Sequence, residues 1–539
     1  MDKNFFIALG AALLFYAGYS YFFPAQKPPM PAQSAQAIAR QQAAAPSSAA
    51  AAVKPVTEVP AAPQPETVYT IETKNADIVL TTKGAAVKDF IYKDIIEPVD
   101  LASYGTQGYF STLPDINFTR VEDKTADIAF KAQIAPGLEF RKNYHFDKDG
   151  GINALEFQLV NATARDLDVS NLNLKIGPGL ATVKSEQSEN EANWRAVCAV
   201  SESGKKLLVV NKITDKHMSK PQKLDEDCLN WQWAGIDNRY FLAAIIPQQG
   251  WTAKAGALSF SEEFAYNKDS FFGLFGQKAV HGPKLSIALP SVVPAKSTLS
   301  YSADFYIGPK DYKYLETLPY GLDRSVQFGF FKQFGQWARG LLEWLYGITH
   351  NYGWAIVIMT LLIQTAMFPL TYKQLKSSIV MQKISPEMKR IQERYKQDPA
   401  AQQRETMALY KKYGANPFTG CLPLFIQLPI FFALFNALRT SWELHGAPFI
   451  FWISDLSAKD PYYVLPVAMG AMMFIQQKLT MPDIGKDNPS MAAMKYMPIF
   501  MTVLFLNFPA GLTLYWFVSN CISFAINIVL KKKLAKQFA

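Results

Sequence analysis

The chain has 539 residues, nearly half of them apolar, a formal charge of +9 and a mean hydropathy near zero. This balance excludes one soluble domain and equally excludes a wholly embedded bundle, leaving a protein with both membrane and aqueous parts. The positive excess invites a nucleic-acid reading, but in a chain with apolar spans the side on which its lysines fall is decided first by membrane topology.

Behind Met1-Asp2-Lys3-Asn4, residues 5–23 form an apolar run of 19 residues. As a helix it is about 28 Å long, enough to cross a hydrocarbon core of roughly 30 Å. Residues 1–23 therefore read as an uncleaved anchor. A removable signal peptide needs a small-x-small site after the run, and Ala17-Gly18-Tyr19-Ser20 lies inside it. Residues 24–66 are almost wholly Ala, Pro, Gln and Ser without an aromatic side chain, so they cannot bury enough surface to offset ordering and form a disordered linker.

Over residues 67–320 the pattern changes to short alternating runs, such as Asp77-Ile78-Val79-Leu80-Thr81-Thr82 and Ala154-Leu155-Glu156-Phe157-Gln158-Leu159-Val160, broken by Gly, Asp and Asn. That predicts an all-β domain of sandwich type. Phe146-Asp147-Lys148-Asp149-Gly150-Gly151-Ile152 reads as a hairpin turn, because glycine takes positive φ at little cost. The domain shows no metal spacing, phosphate loop or catalytic triad, and His145, His217 and His281 are scattered. Cys198 and Cys228 either pair, if the domain faces an oxidising compartment, or stay as buried thiols. Cys421 and Cys521, inside apolar stretches, read as small packing residues.

Residues 325–346 form an amphipathic helix, with Phe330, Phe334, Trp337, Leu341 and Leu345 on one side and Lys332, Gln333, Gln336, Arg339 and Glu343 on the other. The aromatic face suits a membrane surface; packing against the β domain is the alternative. Five apolar stretches follow, at 352–370, 418–438, 462–479, 496–508 and 511–530, within a helical core over 347–533 and ahead of a short tail at 534–539. The segment 372–416 carries ten basic residues against four acidic ones, which places it in the cytoplasm. Ser385-Pro386-Glu387 and Asp398-Pro399 read as helix starts and Gly414 as a stop, giving a two-helix hairpin in which Ile384, Met388, Ile391 and Tyr395 face Met407, Tyr410 and Tyr413. With six crossings, both termini are cytoplasmic and the β domain lies outside.

Polar side chains inside the spans are costly unless paired or wetted. Thr360 and Gln364 lie one turn apart, Asn520, Ser523 and Asn527 share one face of the last span, and Gln427, Asn436 and Gln476 fall in the others. They form either a shared hydrated concavity or a set of interhelical hydrogen bonds, which small polar residues supply for about half a kcal/mol each. The stretch 496–508 has 13 residues, about 20 Å of helix, so it thins the bilayer unless its helix begins nearer Met491. No catalytic residue is evident: all five histidines lie outside the spans, and no acidic or basic side chain sits mid-span in the last five, as ion-coupled transport would ask. A solute transporter or channel is the alternative reading.

Asn416-Pro417-Phe418-Thr419-Gly420-Cys421-Leu422-Pro423-Leu424-Phe425-Ile426-Gln427-Leu428-Pro429-Ile430-Phe431 resembles the signature of the YidC membrane-protein insertases. So do Trp452-Ile453-Ser454-Asp455-Leu456 followed by Asp460-Pro461-Tyr462-Tyr463, and Phe508-Pro509-Ala510-Gly511-Leu512. The resemblance covers residues 326–533, and the anchor and outer β domain are similar to the Gram-negative branch, whose outer domain is a mutarotase-like β sandwich. It implies a multi-pass protein of the bacterial inner membrane that inserts and helps fold nascent membrane proteins, alone or with the Sec translocon, with a periplasmic β domain. It further implies partners in the translating ribosome and membrane lipids, and needs no cofactor, metal or DNA. The resulting substrate groove comprises Thr360, Gln364, Gln427, Asn436, Tyr515, Trp516, Asn520 and Ser523, with Thr360 and Trp516 falling on family contact positions and Gln364 standing where the family commonly has an arginine. Lys389, Arg390, Arg394, Lys411, Lys412, Lys531, Lys532 and Lys533 are the expected ribosome or lipid contacts.

Overall fold

The computed structural model describes residues 65–104, 107–123, 126–187, 190–201, 208–213, 228, 230–248, 251, 258–269, 277–289, 292–326, 332–414, 422–480 and 496–538. The expected anchor, nearly all of the linker and the stretch 415–421 lie outside them.

The β domain is built on a nine-stranded antiparallel sheet whose spatial order begins with Leu208–Ile213, Arg195–Ser201, Trp231–Asp237 and Phe241–Pro247. It continues through Thr298–Pro309, Asn153–Asn161, Leu138–His145, Ile128–Ala135 and Thr119–Val121. Asn153–Asn161 alternates strictly between buried and half-buried positions, as a strand with one core face must. Across it, a four-stranded sheet formed from residues 68–100 and a three-stranded one containing Leu258–Asp269 and Gln277–Ala288 contribute Ile78, Leu80, Phe90, Leu285 and Ile287 to the same apolar core. Phe241–Pro247 is buried on both faces, because a second cluster containing Val197, Trp233, Leu242 and Ile246 is capped by Leu315 and Leu322. Such a strand reads as a continuous apolar run.

The predicted hairpin turn is present. Gly150 has φ +85°, where a Cβ would meet the Asn75 side chain, and Asp147 accepts from the backbone N–H of Asp149 and Gly151. Cys198 and Cys228 form a disulfide with their Cα atoms 6.0 Å apart. Lys142 is fully buried with no carboxylate paired to it among the described residues, and its ammonium donates to the carbonyls of Gly84, Ala85 and Phe110. Burial holds it well below its ordinary range.

Among the described residues, seven helices form the other part: α1 (Lys332–Thr349), α2 (Tyr352–Arg394), α3 (Pro399–Lys412), α4 (Leu422–Thr440), α5 (Val464–Thr480), α6 (Met497–Phe505) and α7 (Ala510–Phe538). Within α2 and α7, Tyr352–Met381 and Ala510–Leu530 are long and apolar enough to cross a membrane. Their apolar core joins Leu342 and Leu345 of α1, Met359 and Ile363 of α2, Leu434 of α4, Met469 of α5, Phe505 of α6 and Tyr515 of α7.

Three expectations change. The helix start at Ser385-Pro386 does not exist: α2 runs unbroken for 43 residues, with Pro369 and Pro386 inside it. A proline within a helix costs about 3 kcal/mol, and here Ile384 and Met388 are buried against Leu409 of α3, a packing that requires α2 to continue. The rest of the hairpin follows the sequence signals, since Asp398 caps α3 by accepting from the N–H groups of Ala400 and Ala401, and Gly414 has φ +58° beyond its end. Tyr410 donates to the Met388 sulfur at 3.2 Å and Tyr413 to Glu387 at 2.7 Å, whereas Met407, expected to face the partner helix, is half exposed. Second, α6 has nine residues rather than thirteen, about 14 Å of helix; the residues near Met491, where an earlier start was considered, lie outside the described set.

Third, the faces of α1 are shared differently. Phe334, Trp337 and Trp344 are exposed, but Arg339, expected on the wet side, is 5% exposed. Its guanidinium pairs with Glu343 at 3.0 Å and with Glu443, and lies 4.8 Å over the Tyr312 ring. Burial raises the Glu443 carboxyl above its usual range, against the pull of Arg339.

Candidate functional site

The loop between α4 and α5 assembles the family-like motifs into one joint. Asp455 accepts from the N–H and hydroxyl of Ser457 and from the N–H of Ala458, closing a turn. Asp460 accepts from the Trp452 indole at 3.0 Å and from the backbone N–H of Tyr462 and Leu465, so it caps the start of α5. The first amides of α7 then donate into this loop: Ala510 N–H to Ala458 at 2.7 Å and Gly511 N–H to Leu456 at 2.8 Å. A Cβ at Gly511 would come within 3.1 Å of the Leu456 carbonyl oxygen, which explains the glycine.

The same loop docks the β domain. Trp442 packs against the β-domain core, 5.3 Å from the Phe241 ring and 6.1 Å from Tyr92, and Arg239 donates to the Arg439 carbonyl at 2.7 Å while pairing with Glu186. A cavity of about 270 Å³ lies at this junction, with Asp147, Asn153, Tyr306, Tyr314 and Trp442 among its walls.

Within the helices, polar side chains converge on α7. Gln364 of α2, 7% exposed, donates to the Ser519 hydroxyl. Gln427 of α4 donates to the Tyr515 hydroxyl at 2.9 Å. Tyr515 and Ser519 are one turn apart on one face, so α7 holds an amide from each of two other helices. Next to them Trp516 meets Phe431 edge-on at 4.9 Å and Phe505 at 5.5 Å.

The remaining expected groove residues are arranged otherwise. Thr360 is fully buried, and its hydroxyl donates to Ile356 of its own helix at 2.7 Å. Asn520 donates to the Trp516 carbonyl of its own helix at 2.8 Å. Asn436 is half-buried and about 14 Å along α4 from Gln427, toward the docking loop. Ser523 is half-buried one turn beyond Ser519, and Asn527 is buried one turn further, so Tyr515, Ser519, Ser523 and Asn527 form an i, i+4 stripe. Ser519 is the residue the sequence reading missed, although its four-residue spacing from Tyr515 and Ser523 carried the signal.

In the hairpin Arg390, Arg394, Lys411 and Lys412 are exposed and Lys389 is half-buried. Lys531, Lys532 and Lys533 continue α7, with side chains outside the described set. Among the described residues no group of His, Cys, Asp or Glu side chains could hold a metal ion.

Two family models match: "60Kd inner membrane protein" over residues 344–537 and "YidC periplasmic domain" over residues 101–338. A membrane protein insertase YidC from Syntrophus aciditrophicus is 32% identical, covering 99% of this chain and all of the relative. One from Endomicrobium trichonymphae is 34% identical, covering 86% of this chain and 85% of the relative, and one from Campylobacter jejuni is 44% identical over 46% of each. Among solved structures, an active YidC insertase is 18% identical with a TM-score of 0.38, covering 88% of this chain and 94% of its own. A galactose mutarotase-related enzyme from Lactobacillus acidophilus is 11% identical with a TM-score of 0.26, covering 45% and 97%. The assignment rests on the two family models and on the sequence relatives: the chain belongs to the YidC membrane-protein insertase family.

Proposed function

We propose that this chain inserts newly made membrane proteins by letting a polar client segment exchange its water for the uncharged side chains on α7 and the helices facing it. The observation that carries this reading is the convergence of Gln364 and Gln427 on Ser519 and Tyr515, one turn apart on α7, within helices that this reading sets in the bilayer, where polar groups are costly. Each charge at the centre of a bilayer costs about 3 kcal/mol on insertion scales, so even partial exchange lowers the barrier to passage. The nine-residue α6 adds a thinned membrane beside this seam. Trp516, Asn520 and Ser523 of α7 extend the contact surface, Asn436 lies toward its outer end, and Thr360, fully buried in the structure, joins it once the helices part. No chemical step is involved, and the relatives lend no support to a solute transporter or channel.

The topology follows. The β domain, the loop after α4 and the first turns of α2 and α7 are tied together, with Asn351 donating to Pro448 and Arg239 to Arg439. This is the periplasmic end, in keeping with a disulfide in the β domain. The basic hairpin lies at the far end of α2, in the cytoplasm, where its exposed arginines and lysines meet ribosomal RNA and anionic headgroups. The chain works in this way alone or with the Sec translocon as a partner.

The deciding experiment is site-specific photocrosslinking from positions 360 and 516 to a ribosome-bound nascent membrane protein. Crosslinks at both positions are expected, and their absence while a control position on the hairpin still crosslinks overturns the seam as the client path.

A further inference from the structure

Gln364–Ser519 and Gln427–Tyr515 share one face of α7 and bind it to α2 on one side and α4 on the other. Both rungs join an amide to a hydroxyl, so neither carries a charge and neither depends on pH. Thr360, one turn from Gln364 on α2, has no exposed surface. We propose that the two rungs are a latch that keeps the seam shut at rest, and that the client opens it by offering its own backbone and polar side chains to the same four groups. This rests on the reading of the seam as the client path.

The chemistry suits exchange. A hydrogen bond between neutral groups in a membrane protein is weak, because the separated helices find other partners, so it can be traded for an equivalent bond at little net cost. An arginine at position 364 would keep a charge that must stay hydrated or paired, whereas Gln364 is neutral, donates to Ser519 and leaves no charge in the site. The latch accordingly selects clients by polar groups that can both donate and accept, not by acidic charge. Tyr515 and Ser519 are positioning residues here: they hold the two glutamines until the client arrives.

The test uses the full-length chain with Cys421→Ser and Cys521→Ser, carrying Thr360→Cys as the reporter, in vesicles of phosphatidylethanolamine and phosphatidylglycerol. The readout is the labelling rate by a membrane-impermeant maleimide. Ser519→Ala or Tyr515→Phe alone is expected to raise the rate about threefold and the two together about sevenfold, the open fraction gained when one or two bonds of that strength are lost. Ser519→Thr, which keeps the hydroxyl, is expected to restore the slow rate, and a bound nascent chain to raise it in the parent. If the client raises labelling while both hydroxyl variants label at the parent rate, the latch is wrong and the seam stands. If neither the client nor the variants change the rate, the seam itself fails and the latch with it.

Discussion

Arg339→Leu tests how the β domain, α1 and the outer loop are held together. The guanidinium is 5% exposed and faces two carboxylates, Glu343 at 3.0 Å and Glu443, whose side chains are 17% and 16% exposed. Removing one member of a buried charged set typically costs 3–5 kcal/mol, mostly through the charges left without a partner. Because both carboxylates retain some contact with water, the lower end applies, about 3 kcal/mol, with Tyr312 losing its cation as well. The effect depends on pH. Burial already raises Glu443, and without Arg339 its folded pKa rises further above the unfolded value. A carboxyl raised in this way contributes stability that is fully present below the unfolded pKa and is lost as pH rises through the folded one. The defect is therefore larger at about pH 8 than at about pH 5, where proton uptake recovers part of it. Amide hydrogen exchange across Lys332–Thr349 reads this directly, since 3 kcal/mol speeds exchange through local opening by about two orders of magnitude. Arg339→Leu combined with Glu443→Leu is expected to regain most of the loss, because the charge most deeply stranded is gone. Exchange within about twofold of the parent for Arg339→Leu, or a double variant no better than the single one, refutes the electrostatic clamp.

Three further outcomes are expected. Asp100 accepts from the Phe90 and Ala102 amides, yet burial pushes its carboxyl up to about 6 from 3.8, so its contribution is present in full below about pH 3.8 and gone above about pH 6. Asp100→Asn should gain about 1–2 kcal/mol at about pH 7.5 and nothing at about pH 4, a difference that chemical denaturation followed by β-domain fluorescence measures, with the upper limit of nearly 3 kcal/mol reduced for its partial exposure. Replacing Cys198 and Cys228 together by Ala opens a loop closed across a sequence separation of 30 and should cost about 3–4 kcal/mol, visible as a lowered urea midpoint that added reductant reproduces in the parent. Reversing the charges of Arg390, Arg394, Lys411 and Lys412 should weaken docking of translating ribosomes and flatten its salt dependence; salt-independent binding in the parent would contradict an electrostatic contact.

Where local chemistry decided the structure, the sequence could be read. Asp398-Pro399 and Gly414 set the ends of α3 because a side-chain cap and a left-handed φ are short-range matters. Asp147 through Gly151 set the hairpin turn for the same reason. Ser385-Pro386 carried an equally good local signal and failed, since packing of Ile384 and Met388 on Leu409 overrides a start signal inside a helix that already has a reason to continue. Arg339 was assigned to the wet face by periodicity, but no periodicity shows that Glu443, more than a hundred residues later, will cover it. The polar positions inside the helices were visible one by one. Their pairing was not: that Gln364 meets Ser519 and Gln427 meets Tyr515 depends on how α2 and α4 rotate about α7, set by apolar packing around Met359, Leu434 and Tyr515. The role of Trp442 as the β domain's anchor was likewise hidden, because a tryptophan in an outer loop suits lipid, solvent or a protein partner equally well.

The two backbone bonds from Ala510 and Gly511 into the loop at Leu456 and Ala458 fix the depth of α7 by peptide geometry. A span free to slide adjusts to lipids of different chain length; this one is hung from a ledge. Here α7 cannot slide against α5, whose start the same loop caps, so the two helices answer a change in lipid thickness together.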